Sequence, residues 1–209
     1  MTIRWSKIIP DDFRFAAKFP RTITHENRLA PPADELEYFF EAMRPLKDKL
    51  LAFLIQLPPS LTMKEGFEKL KNLIPRLDAA YRYALEVRHE SWFCKDLYRI
   101  LSNNNICLAW SQLDTIRTPP ELTSDFVYLR LIGDRSISEE NFGRIQRDRT
   151  KEMSTWASRL KLVEKKLAFS IVAANNHYAG FGPSTANGFR KMIGLQAAVF
   201  EDKKQTTLD

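Results

Sequence analysis

Residues 50–57, LLAFLIQL, form an unbroken apolar run that stops at Pro58 and Pro59. A strand with one wet face alternates apolar and polar residues. An unbroken run suits a strand covered on both faces, which is the situation in parallel sheets. Parallel neighbours cannot be joined by a tight hairpin and need a crossover, usually a helix. The run therefore predicts a chain built of strand–helix–strand units. Five more segments read as strands: RFAAKF (14–19), YALEVR (83–88), ICLAWS (106–111), FVYLRLIG (126–133) and AFSIVAAN (168–175).

The stretches between them carry helical spacing. From Ala33 to Lys49, Leu36, Phe39, Phe40, Met43 and Leu46 share a face, with acidic residues first and lysines last, an order that suits the helix dipole. Pro45 is expected to kink or divide this helix. Thr62 opens another helix, running through Leu73, and Glu65 completes a capping box. Residues 2–9, 92–102, 151–163 and 185–200 also read as helical, the first stopped by Pro10. The polar segment 134–149 is expected to be solvated surface rather than a cover over a site. Residues 201–209 form a polar tail, and the rest, 1–200, is expected to be a single domain.

Two architectures fit parallel units. A doubly wound nucleotide-binding sheet normally has a Gly-rich turn after its first strand, and FPRTITH has no glycine. A TIM barrel needs eight strands and about 250 residues, more than the six strands and 209 residues here provide. The expected fold is α/β and TIM-barrel-like, an incomplete barrel of about six parallel strands. Its open edges, at 14–19 and 168–175, invite coverage by a second copy of the chain.

The formal charge of +6 admits a small anionic ligand or nucleic acid, and equally serves solubility. Cys94 and Cys107 form no CxxC pair, so neither a thiolate metal cluster nor a disulfide framework is indicated. No window has the length of a membrane span and the first residues lack a signal-peptide core. A cytoplasmic protein without a membrane partner is expected.

Ionisable chemistry is densest in YALEVRHESWF, residues 83–93. With a period of two, Glu86 and Arg88 point to one side and Val87 and His89 to the other. The pair either closes the core as a structural salt bridge or binds substrate, with Glu86 as acid, base or metal ligand and Arg88 as an anion clamp. The sequence has three histidines, His25, His89 and His177, each just after a strand, so a shared functional rim is one reading and three loop hydrogen bonds the other. Asp114 also follows a strand. Imidazole and carboxylate groups could make a metal site, but no two histidines have a close ligand spacing. The metal and any cofactor stay unassigned.

Lys18 and Arg130 near strand ends, with Arg21 and Arg28 in the first loop, make the mouth electropositive. Asn175 and Asn176 offer amide donors, and Trp92 a stacking surface or a core side chain. Ser91 and Cys94 have no nucleophile elbow, which leaves covalent catalysis by either without support.

Taken in order, RFAAKFPRTITH, LIQLPPS, ALEVRHESWF, the strand end at Asp114, FVYLRLIGD and AANNHYAGFGPSTAN resemble the YecE-like family, domain of unknown function 72. The resemblance runs from about residue 3 to 195 and implies a TIM-barrel-like fold, without a settled activity. It matches Phe15, Lys18, Pro20, Thr24 and His25 to the family's third strand and loop, and Gln56, Pro58 and Pro59 to the fourth. Glu86, Arg88, His89 and Trp92 match the fifth, Asp114 the sixth, Arg130 and Gly133 the seventh, and Asn175, Asn176, Gly180 and Asn187 the eighth. Relatives usually carry a histidine where this chain has Ile132. They also begin with two strands that precede the part resembled here, so an N-terminally shortened member is expected. The resemblance implies an uncharacterised protein; the residues gathered at the mouth make an enzyme on a small phosphorylated, sugar-like or nucleotide-derived substrate the first reading. A nucleic-acid-binding protein or a non-catalytic scaffold is the alternative.

Overall fold

The computed structural model describes residues 2–133 and 136–199, so the polar tail expected at 201–209 lies outside the described residues. Strands and helices alternate as the apolar runs predict, except that a loop joins the strands between 107 and 131. Helix α1 spans Thr2–Ile8, strand β1 Phe15–Lys18, α2 Ala33–Met43 and β2 Leu50–Gln56. Next come α3 (Met63–Leu73), β3 (Tyr83–Glu86), α4 (Lys95–Asn103), and the short strands β4 (Cys107–Leu108) and β5 (Trp110–Gln112). The chain continues with β6 (Phe126–Leu131), α5 (Thr150–Val163), β7 (Phe169–Ala174), α6 (Asn176–Ala179) and α7 (Gly182–Met192).

All strand pairings are parallel, in the order β1-β2-β3-β4 and β5-β6-β7. The run expected as one strand at 106–111 is divided at Ala109: its first half pairs with β3 and its second with β6. Ala109 N still donates to Leu85 O at 2.9 Å. Strands β1 and β7 end the order, and no ladder joins them among the described residues.

Side-chain alternation sorts the strand residues into two environments. Phe53, Ile55, Leu85 and Leu108 face one way and pack with residues of α2, α3 and α4. Trp110, Val127, Leu129 and Leu131 pack with α5 and α7 in the same manner. Phe19 is the hub of an aromatic group, with ring centroids 4.7 Å from Phe39 and 5.6 Å from Phe53. Each such buried ring contributes about 1.5–3 kcal/mol relative to exposure. The alternate residues, Ala52, Leu54, Ala84, Cys107, Ala109, Phe126 and Tyr128, form a separate apolar cluster on the other face.

Helix ends follow local chemistry. Thr62 and Glu65 form the expected capping box. Pro45 divides its helix as expected, with α2 giving way to a tighter turn over Arg44–Lys49. The segment expected to be helical from 92 begins as a short turn at Glu90–Trp92 and becomes α4 only at Lys95. The last helix is shorter than expected. It starts at Gly182 and stops at Met192, and Gly194 turns the chain out with a φ of 85°. No helix among the described residues is long and apolar enough to cross a membrane.

Candidate functional site

Read from the start of each strand toward its end, the face opposite the long helices changes from apolar to ionic. Ala52, Leu54 and Gln56 succeed one another on β2, Ala84 and Glu86 on β3, and Phe126, Tyr128 and Arg130 on β6. The register places Gln56 beside Glu86, and Ser111 beside Arg130. Period-two alternation on adjacent parallel strands thus gathers polar groups at the carboxyl ends of the strands.

Glu86 is completely buried, with a relative exposure of 0%. One carboxylate oxygen accepts from Arg88 Nε at 2.6 Å, and the other accepts from Arg130 Nη1. The Arg130 group also donates to Gln56 Oε1 at 3.4 Å. Burying a lone carboxylate is prohibitive, and two guanidiniums compensate it while being held in fixed orientations. Both arginine side chains keep 19% exposure, so their far sides reach solvent.

That solvent is a cleft of about 660 Å³ whose lining includes Lys18, Arg21, Gln56, Arg88 and Arg130 together with Asp114, Glu139, Asn175 and His177. The volume suits a small metabolite. A second cavity, of about 420 Å³, includes Tyr81, Arg82, Asn104 and Asn105. Its only charged lining residue is Arg82, already paired with Asp125 at 3.1 Å, so the ionic chemistry is concentrated at the first cleft.

The cationic side is electrostatically crowded. Lys18 has its pKa lowered by partial burial first and then by Arg130, with Arg88 and Arg21 adding to the effect against the opposing pull of Glu86. His25 sits on the turn Thr22–Glu26, its Nδ1 2.8 Å from Thr24 Oγ1. Its pKa is also lowered, by partial burial and then by Arg21, Lys18 and Arg88. Asp114, in the same lining, accepts from Arg149 Nη2 at 3.2 Å and faces Arg147 at 3.8 Å. His177 Nε2 lies 3.5 Å from Glu139 Oε1, and its Nδ1 is buried without a hydrogen-bond partner among the described residues.

The segment 136–149 reaches the cleft at Glu139. Gly143 N donates to Gly180 O at 3.3 Å, and Gln146 N and Arg147 N donate to Ala179 O at 2.7 and 3.3 Å. Most of the segment is exposed, as its charge predicts, while Ile137 is buried and Glu139 lines the cleft. Gly180 has a φ of 106°, and a Cβ there would lie 2.3 Å from Arg144 O.

The structure therefore brings Lys18, Arg88, Arg130, Asp114, Asn175 and His177 to one cleft, with Glu86 beneath them. Other expected site residues stand elsewhere. Trp92 is fully buried, donates from Nε1 to Leu61 O at 2.7 Å and lies against Gly66, so it is a core side chain and offers no stacking surface. His89 does not line the cleft: its Nδ1 accepts from Ser91 N at 3.2 Å, and Ser91 Oγ accepts from Met63 N at the start of α3. Of the three histidines, His177 is in the lining of the cleft, His25 sits on the neighbouring turn, and His89 is tied through Ser91 to the start of α3. Asn176 also turns inward structurally, its Oδ1 accepting from Gly182 N at 2.8 Å. Asn175 caps α6 by accepting from His177 N at 2.9 Å.

Among the described residues, no group of three or more His, Cys, Asp or Glu side chains could hold a metal ion. Glu139 carried no expectation from sequence because its segment lacks a periodic pattern. Gln56 had a visible signal, a polar residue with inward parity at the end of an apolar run.

The fold and much of the chain have known counterparts. The chain is 34% identical over 95 residues to UPF0759 protein YecE of Escherichia coli K12, a match covering 46% of this chain and 35% of that protein. The same figures hold for its counterpart in Escherichia coli O157:H7. The chain thus spans about a third of the length of the curated relatives it matches. The crystal structure of a DUF72 family protein from Thermotoga maritima superposes with a TM-score of 0.74 at 24% identity, covering 91% of this chain and 77% of that one. A DUF72 family protein from Enterococcus faecalis gives 0.76 at 23%, covering 93% and 84%. These structures share the α/β fold with parallel strands. The family described as "Protein of unknown function DUF72" matches residues 1–208, and the chain belongs to it.

Proposed function

We propose that this protein is an enzyme acting on a small anionic substrate, phosphorylated, sugar-like or nucleotide-derived, at the carboxyl ends of the strands of an incomplete TIM-barrel-like sheet. The observation that carries the reading is Glu86 buried beneath Arg88 and Arg130. One carboxylate compensates two guanidiniums, and Lys18 and Arg21 add further positive charge on the same wall. The wall is left with surplus charge and with donors already oriented, which is what binding a phosphate or carboxylate requires.

In the same cleft, His177 beside Glu139 is the group best placed to move a proton. Elsewhere, Arg28, Arg82 and Arg99 are each paired with a carboxylate, Glu65, Asp125 and Asp96. At the cleft, by contrast, two guanidiniums share one carboxylate, which favours a small anionic ligand there.

Calorimetric titration with inorganic phosphate, ribose 5-phosphate and ribose tests the reading. The two phosphates are expected to bind and ribose to give no heat, with binding weakened by Arg88→Ala. Absence of phosphate binding, or dominant oligonucleotide binding that collapses steeply with salt, would overturn it.

A further inference from the structure

Lys18 lines the cleft beside Arg21, Arg88 and Arg130, whereas Lys49 and Lys71 stand beside carboxylates. Lys49 donates to the Ile9 and Pro10 carbonyls and pairs with Asp11, and Lys71 pairs with Glu68. Lys18 Nζ makes no hydrogen bond or ion pair among the described residues, although it lines a cleft that also contains carboxylates. The cause lies in the layer around it. Glu86, the acidic group on its own side of the cleft, is taken up on one oxygen by Arg88 and on the other by Arg130. Asp114, also at the cleft, is engaged by Arg149, and Glu139 lies 3.5 Å from His177. The amine is left facing open volume, among like charges.

We propose that Lys18 is an imine-forming residue, whose Nζ attacks the carbonyl carbon of a small aldehyde or ketone that carries a phosphate or carboxylate. The inference rests on the anion-binding reading of the same cleft, since Arg88, Arg130 and Arg21 hold the anion while the amine meets the carbonyl. The step requires the neutral amine. Partial burial and then the charges of Arg130, Arg88 and Arg21 favour that form, because they hold the pKa of Lys18 below the ordinary lysine value. A C–N bond forms and the C–O bond breaks. The two amine hydrogens leave with the carbonyl oxygen as water, and no electrons are exchanged. His25 lies within electrostatic range of Lys18 and is itself biased toward the neutral ring, so it does not add a further fixed positive charge at neutral pH.

The position also suits the chemistry. Lys18 ends β1 in register with Leu54, so its stem is anchored by a parallel ladder while its end is exposed in the cleft. The sheet supplies rigidity and the cleft supplies access, the two requirements for a covalent amine.

The test incubates the full chain with dihydroxyacetone phosphate, or separately with glyoxylate, and sodium cyanoborohydride, and maps reduced adducts by peptide mass spectrometry. Labelling of Lys18 is expected to be several-fold faster than that of the exposed Lys64, Lys95 and Lys161, and to be suppressed by inorganic phosphate. In Lys18→Arg, which keeps the charge, the fast adduct should vanish without a new fast site appearing. Labelling of Lys18 no faster than the surface lysines, while phosphate still binds calorimetrically to the wild type, would overturn the imine step and leave the anion reading intact. Absence of phosphate binding, with labelling of Lys18 unaffected by phosphate, would overturn both.

Discussion

Replacing Glu86 with glutamine should lower stability and raise anion affinity at once. The side chain keeps its size, but the buried charge that Arg88 and Arg130 share is removed. Breaking a buried ion pair by deleting one partner typically costs about 3–5 kcal/mol. Here both guanidiniums retain 19% exposure and can shift toward water, which places the expected loss near the lower end, about 3 kcal/mol. With a urea slope of about 3 kcal/mol per molar for a chain of this size, the midpoint should fall by about 1 M with the slope unchanged. A phosphate in the cleft would meanwhile escape repulsion from the lost carboxylate. At a separation of roughly 7 Å and an effective dielectric of about 40, that repulsion is about 1 kcal/mol, or about a fivefold gain in affinity. Urea unfolding followed by circular dichroism and phosphate calorimetry measure the two quantities on the same preparation. A fall in both stability and affinity would refute the reasoning, since it would mean that Glu86 orients the arginines more than it neutralises them. An unchanged urea midpoint would refute the burial argument directly.

Gly66→Ala sets a helix preference against packing: alanine gains about 1 kcal/mol in helix propensity. The new Cβ, however, would lie 2.6 Å from the Trp92 ring, so a net loss on the order of 1–3 kcal/mol is expected in thermal unfolding. A more stable variant would show that the ring yields. Asp125 has its pKa lowered, chiefly by hydrogen bonds from Arg82, with Asn105 assisting. A depressed carboxylate contributes stability that is complete above the unfolded value near about pH 4 and is lost as pH falls through the lower folded value. Melting temperature should therefore decline less steeply below about pH 4 in Asp125→Asn than in the wild type. Parallel acid limbs in the two proteins would contradict the assignment.

What sequence reveals here divides by the range of the interaction. The apolar run at 50–57, the capping box at Thr62 and the break at Pro45 are local, and each appears in the structure where its residues predict. The inward parity of Glu86 and Arg88 is likewise local, and their salt bridge follows from it. The second partner of Glu86 is Arg130, on β6, brought near by β5 and its register. The residue type was visible as part of a basic mouth, but the pairing depends on how the strands are stacked. Trp92 and His89 show the opposite outcome. Both adjoin a charged strand end, yet Leu61 O fixes the indole, and Ser91 links His89 to the start of α3. Those fixtures come from a helix–loop unit that spacing within 83–93 cannot report. The division at Ala109 has the same origin, because the residue continues the alternation unbroken and only its pairing partners change.

The segment bordering the cleft is docked partly through main-chain groups, the amides of Gly143, Gln146 and Arg147 on the carbonyls of Gly180 and Ala179, and partly through the side chains of Ile137, Arg147 and Arg149. Peptide groups are common to every residue type, so the main-chain part of this attachment is largely blind to mutation. Glu139, Glu140 and Ile145 project from it with their side chains exposed or at the cleft, and each can be exchanged without undoing the attachment. Gly180 is the exception, held by its φ of 106° and by the close approach of Arg144 O. A lineage carrying this fold can accordingly diversify the border of its cleft at those exposed positions, with the arginines over Glu86 and the sheet beneath them inherited unchanged.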